Sequence, residues 1–112
     1  MIVLTMAAAV LLAGLQASIT GPRLAFSNCL KQTAAKAETE KVTPDAFEAY
    51  LKAACGPQGE KLKAALVAFD VKNGVGRARA VTDANADVTD GFTASIETYK
   101  WRLGKQEAAN AN

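Results

Sequence analysis

The chain has 112 residues, with 13 basic and 11 acidic side chains and a net charge of +2. This balance lacks the basic excess typical of a nucleic-acid-binding surface. There is no His, which removes the commonest general base and the commonest metal ligand, and two Cys cannot form a four-cysteine zinc site. We therefore expect one small domain with no nucleic-acid partner, no metal and no cofactor.

The first 21 residues differ from the rest of the chain. They contain 15 apolar residues and no charged side chain, and Ala7–Ala13 is an Ala/Leu block of the length found in secretory signals. Leu15-Gln16-Ala17 is a candidate cleavage site, although no basic residue precedes the apolar block. We predict a signal peptide over 1–21 and an exported domain, periplasmic or secreted, over 22–112. The alternative is that residues 2–20 are retained as a membrane anchor, at the lower limit for a span.

Cys29 and Cys55 are the only two cysteines. An oxidising compartment would pair them, which closes a loop worth roughly 3.5 kcal/mol of stability by the chain-entropy estimate. The alternative is a free nucleophilic thiol, which would lack a His to activate it.

The domain is predicted to be all-α, because it is rich in Ala and has no sustained alternation of apolar and polar residues. We predict a small disulfide-stapled bundle of four helices, preceded by the apolar leader helix. The predicted helices cover about 24 or 27 to 40, 43 to 55, 60 to 72, and 76 to 103, with 104–112 as a frayed tail. Gly56 and Pro57 are taken as the end of the second helix.

Capping residues support two of these boundaries. Thr43 is a predicted N-cap with Pro44 at the first helical position, and Val42 and Phe47 occupy the positions of a hydrophobic staple. Asn73-Gly74 is a predicted C-cap.

Two helical faces are predicted from the periodicity. Phe47, Tyr50, Leu51 and Ala54 form a buried stripe on the second helix. On the fourth helix one apolar stripe continues past Gly91, which favours a single helix; its members are Val81, Ala84, Val88, Phe92, Ile96, Tyr99 and Leu103.

Trp101 falls on the opposite side of the fourth helix from this stripe, in line with Asp90 and Glu97. We predict these three residues as a candidate partner-binding surface, because Trp is enriched at binding hot spots and the carboxylates would favour a basic partner. The alternatives are that another helix or the tail covers the ring, or that it rests at a membrane interface.

Two further clusters carry charge. Asp70, Arg77 and Arg79 flank a Gly-containing turn and are predicted to form a structural clamp or, alternatively, an anion site. The segment 83–91 has the first oxygens of a calcium loop, but Val88 replaces the required Gly and Ala94 the bidentate Glu. A solvated helix face, with an Arg79–Asp83 pair, is the preferred interpretation.

No arrangement of nucleophile and base is present, so no enzymatic activity is predicted. The leading hypothesis is an exported, non-enzymatic protein of the cell envelope that acts by protein–protein interaction with an unidentified partner. One alternative is a membrane-anchored accessory subunit of a larger complex; another is a small-ligand or ion-binding module.

Overall fold

A computed structural model describes the backbone of residues 2–111 and the side chains of residues 19–111. The described backbone contains three helices and no strand: α1 is Ile2–Thr39, α2 is Pro44–Lys72 and α3 is Arg77–Ala111. The all-α prediction is confirmed, but the predicted four-helix bundle is wrong because the second and third predicted helices are one.

Both errors in helix count occur at a Gly-Pro pair. α2 passes through Gly56-Pro57, and α1 passes through Gly21-Pro22. The ring of a proline normally clashes with the Cβ of the preceding residue when that residue is helical. Glycine has no Cβ, so Gly-Pro meets less of this penalty than other X-Pro pairs. In α2, buried residues lie on both sides of the proline, among them Leu51 and Leu62, and their packing offsets the lost backbone hydrogen bond.

The apolar leader is not a separate element, because α1 runs without a break from Ile2 to Thr39. The predicted leader helix, and the predicted start of the first helix near residue 24 or 27, are therefore wrong. The side chains on which the signal peptide and anchor predictions depend, residues 1–18, lie outside those described. Over residues 19–111, no helix is both long and apolar enough to cross a membrane.

The two turns form as predicted. Thr43 caps α2 by accepting a hydrogen bond from the backbone N–H of Ala46 at 3.3 Å. Lys41 turns the preceding loop in the left-handed region with φ 58°. At the other end Asn73 caps α2 and Gly74 adopts φ 91°, a backbone conformation that favours glycine. Both loops are short, so consecutive helices are antiparallel neighbours.

α3 is one helix past Gly91, as predicted, but it continues beyond Leu103 to Ala111. The predicted end at 103 is therefore wrong, since Gly104 is accommodated in an exposed turn with open space around it. Fraying of 104–112 stays a prediction.

The predicted disulfide joins α1 to α2. Cys29 and Cys55 are bonded, with their Cα atoms 5.8 Å apart. The Thr33 hydroxyl lies 3.4 Å from Cys55 Sγ. Disulfide sulfurs carry no hydrogen, so the hydroxyl is the donor, and this buried threonine is satisfied by the bridge itself.

The core lies where α2 faces the other two helices. Its buried members are Phe26, Ala37, Phe47, Leu51, Cys55, Leu62, Val88, Ile96 and Tyr99. Two predicted core residues are exposed instead: Ala54, because Cys55 takes the position facing α1, and Val81, because Ala80 and Ala84 face inward on either side of it.

Aromatic rings hold the two ends of this core. The Phe47 and Tyr99 rings stack with centroids 3.8 Å apart, and the Tyr99 hydroxyl donates to the backbone carbonyl of Val42. Near the other end Phe26 meets Phe92 edge to face, with centroids 5.1 Å apart. Tyr99 thereby ties α3 both to α2 and to the α1–α2 loop.

Candidate interaction face

α1 and α3 run parallel and are joined directly by two ion pairs. Arg23 Nη2 lies 3.0 Å from Asp87 Oδ2, and Arg102 Nη2 lies 3.0 Å from Glu38 Oε1. Both pairs join residues 64 apart in the sequence. Residue i of α1 is therefore level with residue i + 64 of α3 along this whole stretch.

A groove of about 350 Å³ lies between α1 and α3 in the stretch that these two ion pairs span. Its lining from α1 is Ser27, Leu30, Lys31 and Ala34, and its lining from α3 is Gly91, Ala94, Ser95, Thr98, Tyr99 and Arg102. Most of the lining is apolar or small, four lining residues carry a hydroxyl (Ser27, Ser95, Thr98 and Tyr99), and the two charged ones, Lys31 and Arg102, are both cations. We call this groove the α1–α3 face, together with the exposed residues of α1 on one side of it (the α1 rim) and of α3 on the other side (the α3 rim).

The α3 rim carries the predicted partner-binding residues. Trp101, Asp90 and Glu97 are all exposed, and 62% of the surface of Trp101 is accessible to solvent. Lys105 Nζ lies 4.4 Å from the centroid of the indole, a cation–π contact within α3. No other helix covers the ring among the described residues.

The α1 rim adds a residue that the sequence analysis missed. Leu24 is 57% exposed although it precedes the core residue Phe26 by two positions. Two residues of helix turn the chain by about 200°, so projection from Phe26 places Leu24 on the outer side of α1. This helical projection could have identified Leu24 as an exposed residue from the sequence. Lys31, one heptad further on, lies on the same rim.

Hydrogen bonds, burial and nearby charge raise the pKa of three groups on or near this face. The side-chain bond to Asp87 raises the pKa of Arg23, which keeps the guanidinium charged. Burial, and secondarily the negative charge of Glu38, raise the pKa of the Tyr99 phenol. Beside the α1–α2 loop, the hydrogen bond that the Tyr50 hydroxyl donates to Glu40 raises the pKa of Tyr50.

The predicted clamp consists of Asp70, Arg77 and Arg79. Within the described residues no ion pair joins Asp70 to Arg77 or Arg79; instead Arg79 pairs with Asp83 in its own helix at 3.7 Å, as predicted. Asp70 serves the turn through its backbone, since its carbonyl accepts the N–H of Val75 at 2.9 Å. Arg77 lines a second groove, about 400 Å³, between α2 and α3.

The described part of the chain contains neither a metal-binding cluster nor a free thiol. Asp83 to Gly91 lies inside α3, and no group of three or more Cys, Asp or Glu side chains is placed to hold a metal ion. Both cysteines are in the disulfide, so neither is a free thiol.

Comparison of this chain with protein families, with curated proteins and with solved structures finds no match. The α1–α3 face is thus described from its own geometry.

Proposed function

We propose that this chain is an exported, non-enzymatic interaction protein of the cell envelope, and that the α1–α3 face binds its protein partner. The observation that carries the proposal is the exposure of Trp101. The aromatic residues Phe26, Phe47 and Tyr99 are buried in the core, whereas Trp101 lies outside it and has 62% of its surface exposed to solvent. A large exposed indole beside a groove is the kind of residue that anchors protein interfaces.

The charges around Trp101 describe the partner. Asp90 and Glu97 are exposed, and among the described residues neither takes part in an ion pair. Unpaired carboxylates on a rim steer a complementary, basic group toward the surface. The contact surface is thus an apolar anchor with Lys105 over its ring and two unpaired carboxylates nearby.

The disulfide supports export, because structural disulfides persist in oxidising compartments and are rare in reducing ones. A leader removed after Ala17 leaves Arg23 and Phe26 in place, so cleavage there is compatible with the ion pair to Asp87 and with the core. Cleavage beyond Arg23 would remove the ion pair.

If residues 2–20 were retained as a membrane anchor, the position of Trp101 relative to that membrane would be fixed by the length of α1. α1 rises by about 27 Å between residues 20 and 38, and Arg102 pairs with Glu38 at its far end. Trp101 therefore lies at the opposite end of the described bundle from residue 20. A membrane that held residues 2–20 would not also hold Trp101.

Site-directed photo-crosslinking in expressing cells tests the proposed surface. A crosslinker in place of Trp101 should capture a discrete partner, whereas one in place of Val71, an exposed apolar residue at the far end of α2, should not. Trp101→Ala should change the free energy of unfolding by less than about 0.5 kcal/mol, since the ring is exposed. Equal capture from both positions, or a loss of several kcal/mol in Trp101→Ala, would contradict the proposal.

The intact mass of the protein isolated from cells tests export. We expect a chain that begins between residues 18 and 22 and carries one disulfide. A mass that includes Met1, together with fractionation with membranes, would replace the proposal with the membrane-anchored accessory subunit.

A further inference from the structure

Apart from Arg102, which is paired with Glu38, and Lys105, which lies over the Trp101 indole, the exposed charges of α1 and α3 on the two rims of the face are opposite. Lys31 stands on the α1 rim, and Asp90 and Glu97 stand on the α3 rim. Among the described residues none of the three is in an ion pair. The exposed apolar residues are divided in the same way, with Leu24 on the α1 rim and Trp101 on the α3 rim. Each rim therefore presents a charge that the other rim complements.

The register between the helices sets the heights of these groups. The offset of 64 residues places Lys31 level with Ser95, between Asp90 and Glu97. Glu97 is two residues from that level, about 3 Å along the helix axis. The two opposite charges stand at nearly the same height on opposite rims.

We propose that the α1–α3 face binds a second copy of this chain, with a two-fold axis parallel to the helices. This inference rests on the proposed function and names the partner of the same surface. Rotation about such an axis exchanges the two rims and preserves height, so α1 of one copy lies against α3 of the other. Lys31 of each copy then faces Glu97 of its partner, and Trp101 lies over the exposed, small Ala35.

Charge complementarity favours a second copy over a uniformly basic partner. A basic surface seated on the whole face would complement Asp90 and Glu97 but would oppose Lys31 and leave it near like charge. A copy of this chain matches both rims at once, and each contact is made twice.

The size of the face indicates a weak dimer. From Leu24 to Glu38 the face is about 21 Å long, and two helices make it about 20 Å wide, so each copy contributes on the order of 400 Å². Stable interfaces bury about 800 Å² per partner, and smaller ones belong to transient complexes. We therefore expect a weak dimer that is populated only at high protein concentration.

Sedimentation velocity of the disulfide-bonded protein, from about 1 μM to 1 mM, measures this equilibrium. Lys31→Glu and Glu97→Lys should each weaken the dimer about tenfold, because each places like charges face to face. The double variant should restore the wild-type dissociation constant to within about threefold. Trp101→Ala should weaken the dimer tenfold or more.

Lys61→Glu is the matched control, since Lys61 is exposed on α2, away from the α1–α3 face, and should leave the dimer unchanged. Circular dichroism of every variant checks that the fold is retained. A monomer at 1 mM overturns the proposal, and so does a dimer that Lys31→Glu leaves intact or that the double variant fails to restore. A monomer that still crosslinks a different protein through position 101 overturns only the second copy and leaves the proposed function standing.

Discussion

The ring of Phe26 lies so close to Gly91 that a Cβ on residue 91 would stand 2.7 Å from Phe26 Cε2. The ring has nowhere to move, because it is buried, meets Phe92 edge to face and faces Gly59 on α2. Two glycines on different helices thus form the socket that receives the one large aromatic side chain of α1.

Gly91→Ala should therefore destabilise the protein by about 1–3 kcal/mol through overpacking, although helix propensity alone favours Ala by about 1 kcal/mol. Urea unfolding measures the difference. Gly104→Ala is the matched control, because residue 104 is exposed in the same helix with open space around it, and it should stabilise the protein by up to about 1 kcal/mol. Phe26→Leu should reduce the cost of Gly91→Ala; equal costs in both backgrounds would rule out the socket.

Reduction of the disulfide between Cys29 and Cys55 should lower the free energy of unfolding by roughly 3.5 kcal/mol. Reduction also disturbs the hydrogen bond that the buried Thr33 hydroxyl donates to Cys55 Sγ. Thermal unfolding with and without a reductant measures the effect. A variant with both cysteines replaced by Ala should show no response to reductant, and stoichiometric alkylation of the untreated native protein would disprove the bridge.

Pro57 lies in the interior of α2 and is exposed. Pro57→Ala restores a backbone N–H in the helix and should stabilise the protein by about 1–3 kcal/mol. Gly56→Ala should destabilise the wild-type chain, because the new Cβ meets the ring of Pro57, yet should stabilise the Pro57→Ala variant. The change of sign is the test; if Gly56→Ala has the same effect in both backgrounds, glycine is not what allows the helix to pass the proline.

Tyr99→Phe removes the hydrogen bond to the Val42 carbonyl and should cost about 1 kcal/mol at pH 7. Burial raises the pKa of the Tyr99 phenol in the folded state. Stability from this group is therefore fully present below the unfolded pKa near 10 and is lost as the pH rises through the folded value. Urea unfolding between pH 9 and 11 should show a shallower decline in Tyr99→Phe than in the wild type. An identical decline would mean that Tyr99 does not contribute to alkaline unfolding.

The elements that the sequence predicted correctly are those that depend on near neighbours. Thr43 and Pro44 begin α2 because a side-chain oxygen and a missing N–H suit a helix start wherever they occur, and Asn73-Gly74 ends it for an equally local reason. The exposure of Trp101 followed from helical periodicity alone. The pairing of Cys29 with Cys55 followed from the count of cysteines.

The sequence by itself therefore determined the helical class, the two turns, the disulfide and the outer position of Trp101. Whether a helix passes through Gly56-Pro57 was decided by packing, because the local cost of the proline is offset by contacts that an apolar face makes with other helices. The α1–α3 face was decided only by the tertiary structure. Its register brings together residues 64 apart in the sequence, such as Arg23 and Asp87, and its close packing depends on the Phe26 ring fitting against Gly91 of another helix. No local pattern encodes such contacts, since each exists only once the chain has folded.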